Sequence, residues 1–183
     1  MFYRTDYKSP VGLLTLASDG TNLNGLWLCG QKYFGGTIPE EMKENGSIPV
    51  FDQAKDWLNQ YFAGKKPLIS DLPLAPIGGE FRQNVWEILC KIPYGQVTTY
   101  GEIARQIAEK LGRPTMSAQA VGGAVGHNPI SIIIPCHRVV GTNRSLTGYA
   151  GGIDKKVWLL THEGVDISQF TVPKKGGDVL CSP

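Results

Sequence analysis

Short β-rich runs fill the first third of the chain. Phe2 to Lys8, Val11 to Ser18 and Leu23 to Cys29 are punctuated by Ser9-Pro10, Asp19-Gly20 and Gly30, a pattern that predicts three strands joined by turns. Near residue 50 the period changes. Phe51, Ala54, Trp57, Leu58, Tyr61 and Phe62 share one stripe, and Gly64 follows as a stop, which predicts a helix over 50–63. The Pro- and Gly-rich stretch from Pro67 to Gly79 reads as a linker, so the expected domains are 1–79 and 80–166. Residues 167–183 are expected to be a flexible tail.

Beyond the linker the period is helical. Phe81, Val85, Ile88, Leu89 and Ile92 mark one amphipathic helix, stopped by Pro93. Thr99-Tyr100-Gly101-Glu102 is a capping-box pattern that opens a second, whose buried stripe is Ile103, Ala104, Ile107, Ala108 and Leu111 and whose end is set by Gly112 and Pro114. A third helix starts at Thr115 or Ser117 and runs to Gly126. Two helices around a Gly-x-Pro turn fit a helix-turn-helix, and an ordinary helical hairpin equally well. The third helix is filled by Ala118, Ala120, Gly122, Gly123, Ala124 and Gly126, although each interior glycine costs about 1 kcal/mol relative to alanine. Something must come close to that backbone, either another helix or a DNA groove, and the pattern alone does not choose. Ile130 to Ile134 reads as a buried strand leading into Pro135-Cys136-His137-Arg138-Val139-Val140, and a last helix spans about Ile153 to Glu163.

Composition narrows the class. The chain has 183 residues, no apolar run of membrane-spanning length, and an N-terminus without the pattern of a secretion signal, so a cytoplasmic location is expected. Cys29, Cys90, Cys136 and Cys181 are widely spaced and include no Cys-x-x-Cys pair; in that compartment they are expected to be reduced thiols. His127, His137 and His162 all lie in the second half, far in sequence from Cys29, and no clustered ligand set is evident, so no metal is expected. Residues 1–79 carry seven basic and eight acidic side chains, residues 80–183 eleven and eight. A modest nucleic-acid surface in the second half fits that asymmetry, as do many proteins that never touch DNA.

A lone cysteine is more often packing than nucleophile. His137 beside Cys136, and Glu163 at a helix end where a carboxylate opposes the helix dipole, together suggest an activated thiol. Ile134-Pro135-Cys136-His137-Arg138-Val139 resembles the active-site signature of the O6-alkylguanine-DNA alkyltransferases, also called methylated-DNA–protein-cysteine methyltransferases. Other blocks resemble the family in order. Pro93-Tyr94-Gly95-Gln96-Val97-Thr98-Thr99-Tyr100-Gly101 is similar to the lead-in to its helix-turn-helix, and Ala120-Val121-Gly122-Gly123-Ala124 to its recognition helix. Asn128-Pro129 resembles its hinge, Gly148-Tyr149-Ala150-Gly151-Gly152 the loop over its alkyl pocket, and Trp158-Leu159-Leu160 with His162-Glu163-Gly164 its final helix. The resemblance covers roughly residues 80–165; the first 79 match only loosely.

The resemblance implies an α+β fold in two domains. These are a small N-terminal α/β domain with an antiparallel, RNase H-like sheet and a mainly helical C-terminal winged helix-turn-helix domain. It implies irreversible alkyl transfer from O6-alkylguanine to Cys136, once per molecule, and leaves O4-alkylthymine open as a second substrate. By the same resemblance, His137 is expected to act as base through a water, Glu163 to orient His137, and Asn128 to serve as the hinge. Tyr100 is expected to turn the nucleotide out and hydrogen-bond the leaving guanine, with Tyr149, Ala150 and Gly151 lining the pocket. The implied DNA contacts are Gln119, Ala120, Gly123, Thr142 and Arg113. The partner is double-stranded DNA carrying the lesion, met by a monomer with no cofactor, no metal and no membrane. Minor-groove docking suits a protein that must ignore sequence, because that groove carries a degenerate code, and a stacked base must be flipped to reach a pocket thiol.

Two positions depart from the family pattern. Gln119 stands where an arginine finger is usual; its amide can still hydrogen-bond an orphaned base. Arg144 stands where glycine is common, so its turn must either change or carry strain. Three rival readings remain at this level. A thiol hydrolase leaves the Gly/Ala helix unexplained, a winged-helix regulator leaves the cysteine signature unexplained, and a lesion-binding protein without transfer activity would lack the cysteine.

Overall fold

A computed structural model of the chain describes residues 1–173. Its α+β fold divides into two compact units. The first contains residues 1–77 and, from far along the chain, 129–133. Strands β1 (Phe2–Ser9), β2 (Gly12–Ser18) and β3 (Leu23–Leu28) form an antiparallel meander. A fourth, β4 (Met42–Glu44), adds in parallel beside β1, giving the order β3-β2-β1-β4. Helix α1 (Pro49–Phe62) starts with proline in its first turn and buries Val50, Phe51, Ala54, Trp57, Leu58 and Tyr61, which includes most of the predicted stripe. It packs on β1, β2 and β3.

Ile130 to Ile134 were expected to form a strand, and this is corrected. Ile130 makes a single bridge to Leu26, through bonds from Leu26 N–H to the Pro129 carbonyl (2.8 Å) and from Ser131 N–H to the Leu26 carbonyl (2.9 Å). The chain then turns, with Ile132 at φ +70°. Every residue from Pro129 to Val140 is buried, so the apolar run reflects burial on all sides rather than strand pleat. Ser131 Oγ donates to Gln31 Oε1 at 3.1 Å and further fixes this segment to the sheet unit.

The second unit contains, among the described residues, 78–128 and 134–173. Helices α2 (Glu80–Leu89), α3 (Tyr100–Lys110) and α4 (Ala118–Gly126) pack against one another. Trp86 Nε1 donates to the Ala124 carbonyl at 2.9 Å and locks α2 to α4. Thr99 caps α3 by accepting the Glu102 N–H (3.0 Å), but the Glu102 carboxylate turns to Arg105 and Gln106, so only one arm of the expected capping box is closed by the side chains. Ser117 caps α4 through the Ala120 N–H. Short parallel strands β5 (Thr98–Thr99) and β6 (Val139–Val140) follow, then α5 (Ile153–His162). Val140, Leu146 and Leu160 form a cluster with Val97, Val157, Val165, Ile167 and Phe170 around them.

The first residues of the expected tail are structured. Ile167–Gln169 form a 3₁₀ turn, and Thr171 pairs with the Arg144–Leu146 segment. Residues 174–183, the rest of that tail, lie outside the described residues. Cys90 and Cys136 are free thiols, but Cys29 is disulfide-bonded, correcting the expectation of four reduced cysteines. Wide spacing in sequence does not prevent a fold from bringing cysteines together. Among the described residues no helix is long and apolar enough to cross a membrane, and no cluster of metal-ligating side chains is present.

Candidate active site

Cys136 opens a 3₁₀ turn, Cys136–Arg138, instead of ending a strand. All three of its side chains are buried, and the turn packs against α5. Asn128, at the end of α4, donates through Nδ2 to the Ile134 carbonyl at 2.8 Å, tying the helix to the segment that leads into the thiol. Its side chain also hydrogen-bonds Cys136. Burial raises the Cys136 pKa, and Asn128, the Lys156 charge and the backbone N–H groups of Cys136 and His137 only partly oppose it. The resting group is therefore a thiol, which requires a base before it can attack.

A candidate for that base sits next in sequence. His137 is fully buried and its Nε2 lies 2.5 Å from Glu163 Oε2. Burial acts to raise the Glu163 pKa, but hydrogen bonds and charge from His137 and Arg138 outweigh it and hold the carboxyl well below the usual range. An ionised carboxylate only accepts, so Nε2 donates and the lone pair of His137 is on Nδ1. Nδ1 is buried and has no hydrogen-bond partner among the described residues. Burial, together with the positive charges of Arg138 and Lys156, lowers the His137 pKa despite the pull of Glu163, so the ring is neutral and able to accept a proton.

Glu163 caps the C-terminus of α5 and accepts two further bonds on Oε1, from Arg138 Nε (2.7 Å) and the Gly95 N–H (3.2 Å). Gly95 has φ +77°, and a Cβ there would meet the Glu163 carbonyl oxygen at 2.9 Å, so this turn requires glycine. Lys156 is fully buried on α5, donating to the Val139 carbonyl (2.5 Å) and the Thr147 carbonyl (3.0 Å). Burial brings its pKa down to about 8 although Cys136 pulls it up. Sequence reading missed both Lys156 and Arg138. The signal for Lys156 was its place on the face of Leu159, Leu160 and Glu163, where a lone lysine must find buried partners.

Tyr100, first residue of α3, donates to the Thr147 carbonyl at 3.2 Å. Its pKa is pushed up to about 12, by burial first and then by Cys136, so the hydroxyl keeps its proton. A Cβ on Gly148 would reach Tyr100 Oη at 2.8 Å, and one on Gly122 would touch its ring at 3.9 Å. Tyr149 is buried, and its hydroxyl has no hydrogen-bond partner among the described residues. The charges of Cys136 and Glu163 both act on it, and Ala150 and Gly151 follow half-buried. Cys136, His137, Glu163, Asn128, Tyr100 and Tyr149 are thus gathered in one region.

The expected DNA contacts sit elsewhere on the unit. Gln119, Ala120 and Gly123 are exposed on α4, and a Cβ on Gly123 or Gly126 would meet nothing within 4 Å. Gln119, Gly123 and Gly126 fall on one helical face, so much of the slim face of α4 opens outward and is not filled by another helix. Thr142 is exposed and lies against Gly101. Arg113 is exposed in the turn before α4 and borders a groove between α3 and α4.

Comparison with known proteins settles the family. Residues 2–76 match the family described as "6-O-methylguanine DNA methyltransferase, ribonuclease-like domain", and residues 80–165 the one described as "6-O-methylguanine DNA methyltransferase, DNA binding domain". A relative from Haemophilus influenzae, called methylated-DNA–protein-cysteine methyltransferase, is 41% identical over 89% of this chain and 87% of its own length. The chain belongs to the methylated-DNA–protein-cysteine methyltransferase family. A relative of the same name from Methanosarcina acetivorans is 44% identical over 88% of this chain and 98% of its own. Among solved structures, Mycobacterium tuberculosis OGT in complex with DNA superposes with a TM-score of 0.75 at 41% identity, covering 92% of this chain and 94% of that one. Within this family framework the Arg144 departure is resolved as strain: its φ is +60°, the left-handed region that glycine adopts freely.

Proposed function

We propose that this protein repairs O6-alkylguanine in double-stranded DNA by moving the alkyl group irreversibly onto Cys136, once per molecule. The observation that carries this reading is the buried Cys136 thiol followed by His137, whose Nδ1 is left as an acceptor by the Nε2–Glu163 bond. His137 takes the thiol proton through one water. The sulfur forms a bond to the alkyl carbon as the carbon–O6 bond breaks, and the electron pair leaves with guanine, which takes up a proton. Tyr100, protonated at neutral pH, donates a hydrogen bond to the leaving base. The product is a thioether, whose carbon–sulfur bond is inert to hydrolysis at neutral pH, so the protein is consumed.

Delivery of the base rests on α4. Its open glycine face fits against the minor groove without long side chains to read sequence, and Gln119 at its start fills the gap left by the flipped nucleotide. Arg113 and Thr142 contact the backbone, Asn128 transmits the docking of α4 to the thiol segment, and Tyr149, Ala150 and Gly151 close over the alkyl group. The protein acts as a monomer in the cytoplasm and uses no cofactor. A duplex bearing one O6-methylguanine tests the reading. Stoichiometric restoration of guanine by the wild type and none by Cys136→Ser is expected; restoration by Cys136→Ser at the wild-type rate would overturn it.

A further inference from the structure

Arg138 takes no step in the transfer proposed above, yet it is buried one residue from the base and two from the nucleophile. Its Nε donates to Glu163 Oε1 at 2.7 Å, and a terminal nitrogen donates to the Ile92 carbonyl at 2.7 Å. The guanidinium also sits 5.7 Å from the centre of the Tyr94 ring. The side chain is therefore fixed at both ends of its fork. Glu163 is divided in turn: Oε2 accepts from His137, and Oε1 from Arg138 and the Gly95 N–H.

We propose that Arg138 is a positioning residue for alkyl transfer, fixing Glu163 as a shared anion and so holding His137 as the neutral ring with its proton on Nε2. This rests on the transfer reaction proposed above.

Two effects follow from the geometry. Arginine does not lose its proton in a protein, so the carboxylate beside it stays ionised and can only accept from His137 Nε2. This leaves Nδ1 as the ring's acceptor. The second effect is charge. An unshared Glu163 would draw His137 toward imidazolium, which cannot take the thiol proton. Arg138 occupies the other carboxylate oxygen and adds a positive charge beside the ring. The charged groups acting on His137 are Glu163 and Lys156 from α5 and its cap and Arg138 from its own turn; Glu163 also acts on Tyr94 and Tyr149. Burial is the largest influence lowering the His137 pKa, and Arg138 and Lys156 act with it against Glu163.

The test is the transfer rate against pH, on the full chain, for the wild type, Arg138→Gln and Arg138→Lys, each with its melting temperature. Both variants lose the fork to Ile92, and both should melt lower. Only Arg138→Gln loses the charge, so its acid limb should move up by about one pH unit, while Arg138→Lys stays within about 0.3 of the wild type. Equal acid limbs in all three proteins would overturn the proposal. Should Arg138→Gln not fold, ¹⁵N NMR of His137 in the wild type decides. A neutral ring protonated on Nε2 at pH 6.5 is expected, and an imidazolium or an Nδ1–H ring overturns the assignment. A wild type that transfers nothing would instead refute the proposed function, and the NMR measurement would still answer for Arg138.

Discussion

His137 and Glu163 stand 26 residues apart in sequence and meet at 2.5 Å, Nε2 to Oε2, with both side chains fully shielded from solvent. One belongs to the 3₁₀ turn that carries the thiol, the other to the cap of α5. Their contact therefore joins the turn that carries the thiol to the end of α5. It also decides which ring nitrogen is left as an acceptor.

Replacing Glu163 by glutamine should affect both catalysis and stability. It leaves Arg138 buried without its anion, a loss of about 3–5 kcal/mol, and it frees the His137 tautomer, slowing transfer by roughly a hundredfold or more. Chemical denaturation and single-turnover rates measure the two effects. The pH dependence has a definite sign. Glu163 titrates lower in the folded chain than its ordinary 4.5, so its contribution is complete above 4.5 and is lost as pH falls through the folded value. His137, held below its ordinary 6.5, acts in the same direction from 6.5 downward. Stability should therefore decline below about pH 6.5 and more steeply below about 4.5. In Glu163→Gln the lower step should shrink, leaving the smaller share of the other lowered carboxyls Asp19, Glu102 and Asp166.

Gly123 separates a packing role for α4 from a docking role. A methyl group there meets nothing in the protein, so Gly123→Ala should gain about 1 kcal/mol of stability from helix propensity alone. A larger side chain still folds, but it stands between the helix and a groove. Gly123→Leu should keep the wild-type melting temperature or exceed it while weakening duplex binding by roughly tenfold. Unchanged duplex affinity in Gly123→Leu would place the DNA elsewhere.

Gln119 is exposed in the first turn of the same helix. In Gln119→Arg, binding to lesion-bearing duplex should strengthen, and the salt dependence should steepen by about one unit if the new charge reaches a phosphate. Titrations at several salt concentrations read both. The same affinity and the same flipping rate as the wild type would show that this position does not take the finger's place.

Arg144 adopts φ +60° while its N–H donates to the Gly141 carbonyl (3.0 Å) and its carbonyl accepts from Thr171 (2.9 Å). Glycine can keep both bonds without the steric cost, so Arg144→Gly should stabilise the protein by about 1 kcal/mol or slightly less. Denaturant midpoints measure it. A destabilised variant would mean that the arginine side chain contributes more than its backbone costs.

Much of this was legible in the sequence because local rules and tertiary demand agreed. The stripe from Phe51 to Tyr61 became α1, and Thr99 capped α3 as its position predicted. Cys136, His137 and Glu163 were readable as a set of residue types, but their contact was not, since it depends on where α5 ends. The run Ile130 to Ile134 misled because residues buried on every side lose the alternation that separates strand from turn. Strand β4 is short, polar and at an edge, so Met42 to Glu44 carries no strand pattern at all. Arg138 and Lys156 were hidden for the opposite reason: charged residues are read as surface until a fold supplies buried carbonyls and a carboxylate for them.

The most direct test of the central claim is to incubate the protein with duplex DNA carrying O6-methylguanine labelled on the methyl group, and then to map the label by peptide mass. The account predicts label on Cys136 alone, saturating at one per chain, with none on Cys136→Ser. Label released to solvent with repeated turnover, or retained on Cys90 instead, would contradict it.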